Sequence, residues 1–245
     1  MKKKNYTFSI RHKPNIVKIE IELTTKCNLY CHHCDRRCTQ APEDFNLSVE
    51  KILSFITESK KFGYQWESIS ILGGEPTLHP DLIEVVNLLS SYVNTLNSCE
   101  LTLISNSHGS ITAKMIREVE KKIKVIRRPK SNNEDWFNNM NRAPVDLVSK
   151  IATCINTENC GLGLTVNGYF PCGAGAAIAR TMNVDVGIKN LADVSVLSMN
   201  KLFKYLCPYC GHSLAVPASE NLSCSPFWER TTHEYNKRRF NKDVF

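Results

Sequence analysis

No stretch of this chain approaches the roughly 18 consecutive apolar residues that a membrane-crossing helix needs, so the sequence excludes a helical span. No continuous apolar run follows the basic start Met1-Lys-Lys-Lys-Asn before Arg11-His12-Lys13, which argues against a secretory leader and hence against a secreted disulfide scaffold. Internal repeats and low-complexity tracts are also missing, so solenoids and biased disordered segments drop out. Charge of one sign is not concentrated. The formal net charge is +7, but the basic residues are scattered, with small groups at Lys2 to Lys4, Lys121-Lys122, Arg127-Arg128 and Lys237 to Arg239. That pattern reads as a mildly basic solvated surface: an acidic substrate suits it, and nucleic acid is not an expected partner.

What the chain has in quantity is cysteine, eleven in 245 residues. With no leader the expected location is the cytoplasm, where thiols stay reduced and clustered cysteines usually bind metal. Hydrophobic residues make up 42% of the chain, enough for one good-sized core, or a core with a small appendage.

From Asn15 to about Ile126 short β-rich runs alternate with helical periodicity, which predicts successive βα units on a parallel sheet. The expected strands are Ile16 to Leu23, Ser68 to Leu72, Leu101 to Ser105 and Ile123 to Ile126. Ser48 is the expected N-cap of a helix carrying Val49, Ile52, Leu53 and Ile56 on one face and ending at Gly63. Pro80 is expected to open a second helix with the stripe Leu82, Val85, Val86, Leu89, Tyr92, Val93 and Leu96, and a third should run from Ile111 to Lys121. A closed eight-unit barrel takes about 250 residues, so the fold class expected is α/β with a partial (β/α) TIM-like barrel. The polar stretch Arg127 to Arg142, with five asparagines around Trp136 and Phe137, reads as a connector. From Ile151 the pattern changes. Gly161 to Cys172 reads as a hairpin turning at Asn167-Gly168, and six cysteines fall between Cys154 and Cys224. The expected division is therefore a barrel over 1–150 and a small cysteine-rich hairpin domain over 151–245, with a basic helix near Trp228 to Arg239.

Cys27, Cys31 and Cys34 stand at a C-x3-C-x2-C spacing just after the first strand. Three such thiolates can hold three irons of a four-iron cluster and leave the fourth iron open for chemistry. Cys38 follows by another x3 step and would close that iron if it bound; a ferredoxin reading fits poorly, because Thr39 rather than proline follows and the first step is x3. Zinc is the other reading, since His32 and His33 are also competent ligands, although structural zinc sites usually draw on two separated pairs. Gly73-Gly74-Glu75-Pro76 follows the second strand and Ser105-Asn106 the third, so all three motifs share the carboxyl edge of the sheet. The glycines let backbone approach a ligand closely, and Glu75 offers an acceptor for an ammonium group.

Together these motifs, over residues 16 to 126, resemble the radical S-adenosylmethionine (AdoMet, SAM) superfamily. The resemblance implies that Cys27, Cys31 and Cys34 hold a [4Fe-4S] cluster, that Gly73, Gly74, Glu75 and Pro76 bind the methionine of AdoMet, and that Ser105 and Asn106 lie near its ribose. His33 stands where the family usually has an aromatic residue and is expected against the adenine. An electron passed from the cluster would break the sulfonium bond and yield a 5′-deoxyadenosyl radical that abstracts hydrogen from a substrate. An electron donor such as flavodoxin or ferredoxin is then an implied partner.

The tail resembles the SPASM and twitch auxiliary-cluster domains, and by that likeness Cys154, Cys172, Cys207 and Cys210 are the ligands of a second iron–sulfur cluster. Thirteen residues separate Cys154 from Gly168, within the family's span, whereas only seven separate Cys160 from it; the step from Gly168 to Cys172 is one residue short. A zinc ribbon using the same four thiols is the alternative, since Cys207-Pro-Tyr-Cys210-Gly-His212 reads like a zinc knuckle. Cys160 and Cys224 are left over. Each is an inert buried thiol, a substitute ligand, or a donor of a hydrogen atom to a substrate radical, and in that last role they are the candidate catalytic residues. Enzymes of this build modify ribosomally made peptides or oxidise small molecules such as aminocyclitol alcohols. The peptide is the first expectation and a small-molecule dehydrogenase or epimerase the second. A non-catalytic iron–sulfur or zinc protein is the reading from another class.

Overall fold

A computed structural model describes residues 13–31, 34–38, 41, 43–129, 154, 157, 159–213 and 224–240. Its centre is a six-stranded sheet built from β1 (Lys18–Thr24), β2 (Ser68–Gly73), β3 (Glu100–Ser105), β4 (Lys124–Arg127), β5 (Leu162–Thr165) and β6 (Gly168–Phe170), in the order β4-β3-β2-β1-β5-β6. Every pairing is parallel except β5 with β6. Among the described residues the end strands are β4 and β6, as expected of an incomplete barrel, and Tyr169 of β6 makes an isolated bridge to Ile188.

The hairpin of the 151–245 segment extends this sheet. β5 pairs parallel with β1, Ile19 opposite Leu162 and Ile21 opposite Leu164, and Leu162, Leu164, Tyr169 and Phe170 share the core of β1 to β3. Burial of both faces explains this, because an apolar β5 finds its partner on the exposed side of β1. The tight turn is Val166-Asn167, with Gly168 already in β6.

On one face of the sheet Ile19, Ile21, Leu23, Ile69, Ile71, Leu101 and Leu103 pack against α1 (Val49–Lys61) and α2 (Leu82–Val93), the period-two alternation placing them together. Ser48 caps α1 by accepting from Lys51 N, as its sequence suggests. α2 starts later than Pro80 implies, with Asp81 at its N-cap, because Pro76–Leu78 first forms a 3₁₀ turn; Leu96 falls beyond its end. α3 (Ser110–Val119) ends slightly short of the expected Lys121.

The other face is polar. The register sets Glu20 beside Ser70 and Thr102, with Gly163 on the far side. A short helix, α4 (Gly173–Met182), covers this face at β1 and β5, followed by α5 (Val196–Leu206) and a basic helix α6 (Pro226–Phe240). Gly163 permits that packing, since a Cβ there would meet the backbone of Cys172 and Gly173 at about 3 Å. No helix among the described residues is long and apolar enough to cross a membrane.

Candidate functional site

The carboxyl edge of the sheet gathers the sequence motifs. Gly73 and Gly74 lie where β2 runs against the chain that leads from β1 to Cys27. A Cβ on Gly73 would be 3.0 Å from Thr24 N, and one on Gly74 would be 2.8 Å from the Lys26 carbonyl carbon and 2.9 Å from Thr25 O. Two backbone bonds fasten the contact: Gly74 N donates to Thr24 O and Glu75 N to Lys26 O, both at 2.8 Å. What the glycines approach in this structure is the cysteine loop itself, so their spacing fixes where that loop begins.

Glu75 is fully buried. Its Oε1 accepts from Thr77 N (3.1 Å), Thr77 Oγ1 (2.7 Å) and Ser105 Oγ (2.9 Å), and its Oε2 from Asn106 N (2.8 Å). One carboxylate thus ties the end of β2 to the end of β3, while Oε2 retains capacity for a further donor. Asn106 carries the network to the cysteines: its Nδ2 donates to Asn28 Oδ1 at 2.8 Å and lies 3.8 Å from Cys27 Sγ. Asn28 Nδ2 in turn reaches His108 O and Thr112 Oγ1. Pro76 is buried at the start of the 3₁₀ turn. The structure therefore brings Cys27, Gly73, Gly74, Glu75, Ser105 and Asn106 into one hydrogen-bonded rim. His33 lies outside the described residues.

Burial pushes the Cys27 thiol up to about 11, with Cys34, Glu75 and Cys31 adding to it; a backbone N–H from Leu29 opposes the shift. Cys34 goes the other way, to about 6, because the Cys38 thiol donates to it. Cys38 is correspondingly held well above the usual thiol range. Cys38 is thus tied to Cys34 and buried, also facing Glu22 and Arg180.

Behind the rim stand two buried ion pairs. Glu20 accepts from Arg36 Nη2, and Glu22 Oε1 from Arg180 Nη1 at 2.5 Å; Arg180 Nη2 also reaches Arg36 O. Arg37, in the left-handed region at φ 50°, donates to Thr232 at 3.0 Å and lies over the buried Trp228 ring, so α6 grips the cysteine loop. Cys224 also faces Arg37.

The tail thiols act on one another electrostatically. Cys172 caps α4, its Sγ accepting from Gly175 N at 3.3 Å. Burial lifts Cys172 to about 12 and holds Cys207 and Cys210 high as well, and Cys154 acts electrostatically on all three. Cys210 Sγ is 3.2 Å from His212 Nδ1. Cys160 lies beside Cys172, but its thiol bonds to Glu20 and burial raises it strongly.

The family model described as Radical SAM superfamily matches residues 21–149, more than half of the chain. The chain belongs to the radical SAM superfamily. Among curated proteins, the GTP 3',8-cyclase of Listeria monocytogenes serotype 4b is 37% identical over 75 residues, 30% of this chain and 22% of that protein. The probable GTP 3',8-cyclase of Pyrococcus horikoshii is 30% identical over 82 residues, 34% of this chain and 26% of that one. The matched segments thus span about a quarter of those relatives' length. Among solved structures, that of BtrN in complex with AdoMet and 2-DOIA shares the fold, with a TM-score of 0.50 over 80% of this chain and 88% of BtrN at 15% identity.

Membership implies a [4Fe-4S] cluster and AdoMet as cosubstrate. Three thiols on one loop, with an N–H from Leu29 at 3.5 Å and the Asn106 amide both directed at Cys27 Sγ, fit a cluster of that kind in donor type and in the support given to a thiolate. Among the described residues no three His, Cys, Asp or Glu side chains grip a single ion as they stand. Sequence reasoning missed Asn28, Thr77 and Thr112, which have no spacing signature, and the pairs Glu20–Arg36 and Glu22–Arg180. The last had a signal: two carboxylates alternating with isoleucines in a central strand.

Proposed function

We propose that this radical SAM enzyme binds AdoMet at the rim formed by Gly73, Gly74, Glu75, Pro76, Ser105 and Asn106, beside a cluster held by Cys27, Cys31 and Cys34. The observation that carries the reading is the continuous hydrogen-bonded path from Glu75 through Asn106 to Asn28 and Cys27. When bound, a site-differentiated four-iron cluster supplies the electron that cleaves AdoMet reductively. The rim residues hold the three sheet ends in register, and the open lone pair of Glu75 Oε2 receives a ligand ammonium.

For the tail we propose that Cys154, Cys172, Cys207 and Cys210 hold a second iron–sulfur cluster, so that 151–245 is a functional unit even though its hairpin belongs to the barrel sheet. Support comes from the mutual influence of these four thiols and from the N-terminus of α4 at Cys172. Zinc is the competing occupant, favoured by His212 beside Cys210.

For the substrate, a small polar molecule has the stronger support. The inner sheet face presents Ser70 and Thr102, 3.1 Å apart, beside Glu20, and the fold neighbour of similar extent was crystallised with AdoMet and 2-DOIA. A ribosomally made peptide draws support only from the basic surface. The test is anaerobic reconstitution followed by assay of 5′-deoxyadenosine with deuterated aminocyclitols, sugars and acidic peptides. Deuterium appearing in 5′-deoxyadenosine from an aminocyclitol or sugar supports this reading, and deuterium transfer from a peptide alone overturns it.

A further inference from the structure

Arg36 joins the two cysteine groups. It lies two residues after Cys34 and is only 8% exposed. Its Nη2 donates to Glu20, but its Nη1 is shielded from solvent and has no hydrogen-bond partner among the described residues. That nitrogen rests against Gly173, the residue after Cys172: a Cβ on Gly173 would fall within the guanidinium. The charge of Arg36 acts on Cys172, on Cys160 and on His212. A buried charged donor left unpaired is costly, and such groups in native proteins have acceptors. An anionic acceptor beside Cys172 would complete the guanidinium.

We propose that Arg36 donates its Nη1 hydrogen to a sulfur of the auxiliary cluster and so sets that cluster's reduction potential; this rests on the reading of Cys154, Cys172, Cys207 and Cys210 as iron–sulfur ligands. An N–H donor on a cluster sulfur stabilises the reduced, more negative state and raises the potential. The guanidinium fork suits the position, because one nitrogen serves Glu20 while the other faces the sulfur, a division that a lysine ammonium on a flexible stem does not reproduce. Arg36 is in this sense a positioning residue that ties the loop of Cys34 to the tail.

The experiment uses the full chain in a Cys27→Ala, Cys31→Ala, Cys34→Ala background, where the auxiliary cluster gives the only iron–sulfur signal. Its midpoint potential is read by EPR-monitored titration for Arg36 intact, for Arg36→Lys, and for Glu20→Gln with Arg36→Gln. The double variant keeps the net charge and leaves no uncompensated buried ion, so a shift in it reports the lost hydrogen bond; Arg36→Lys reports the same should the double variant not fold. The expected result is a more negative midpoint in both. An unchanged midpoint with the cluster present overturns the role of Arg36 alone. Absence of a second cluster in the parent, or about one zinc per chain in its place, overturns the cluster reading and this assignment with it.

Discussion

Replacing Gly74 by alanine tests the contact that sets the cysteine loop against β2. The new Cβ would lie 2.8 Å from the Lys26 carbonyl carbon and 2.9 Å from Thr25 O, with Lys26 O nearer still. All three are backbone atoms, so no side chain can swing away. An unstrained contact needs roughly 3.5 Å, so the strand must part from the loop by about 1 Å. That displacement breaks the two 2.8 Å bonds from Gly74 N to Thr24 O and from Glu75 N to Lys26 O. Two net hydrogen bonds at about 1 kcal/mol each, with overpacking of about 1–3 kcal/mol, give a loss of roughly 3–5 kcal/mol. For a chain of this length the drop in Tm is about 6–20 °C. Because Cys27 follows directly on Lys26, AdoMet cleavage should fall by roughly 100-fold or more even at temperatures where the variant is folded. Thermal melts read by circular dichroism, with 5′-deoxyadenosine assayed below the melt, check both. A Tm within 2 °C of the parent and undiminished cleavage would refute the close packing of the two motifs.

Arg180→Met leaves Glu22 buried without its cation and should cost about 3–5 kcal/mol, whereas Glu22→Gln with Arg180→Met should recover most of that in urea unfolding. Cys38→Ala should keep the four-iron absorption spectrum and AdoMet cleavage, because Cys38 is tied to Cys34 and Arg36 O rather than needed as a fourth ligand; loss of both would make it a ligand. Cys172→Ala or Cys210→Ala should remove the auxiliary cluster and substrate conversion while substrate-free AdoMet cleavage persists. Cys160→Ala, whose thiol faces Glu20, should leave that cluster in place by iron analysis.

The strands and the first three helices were legible because each carries a local signal. Isoleucine and leucine at alternate positions mark β1 to β3, and Ser48 marks the start of α1. Pro80 misled by two residues, since the chain first spends Pro76–Leu78 on the turn that Glu75 caps. α4 gave no amphipathic pattern: Gly-Ala-Gly-Ala-Ala-Ile-Ala is small and buried on every side, so periodicity has nothing to contrast. The joining of β5 to β1 was invisible because pairing across more than 130 residues leaves no local trace. At the site, spacing singled out the motif residues but not their hydrogen-bond partners. Glu75 was read as a ligand acceptor from its motif, but the four protein donors that converge on it and leave Oε2 room for one more had no sequence signal. Arg36, Arg180 and Asn28 act through contacts made only in the fold.

Cys27, Cys31 and Cys34 are proposed to hold the cluster that cleaves AdoMet. Anaerobically reconstituted, dithionite-reduced protein should release 5′-deoxyadenosine from AdoMet, and the chain with all three replaced by alanine should release none while losing about four irons, one cluster's worth. Retained release from the triple variant, or full iron content in it, would contradict that assignment.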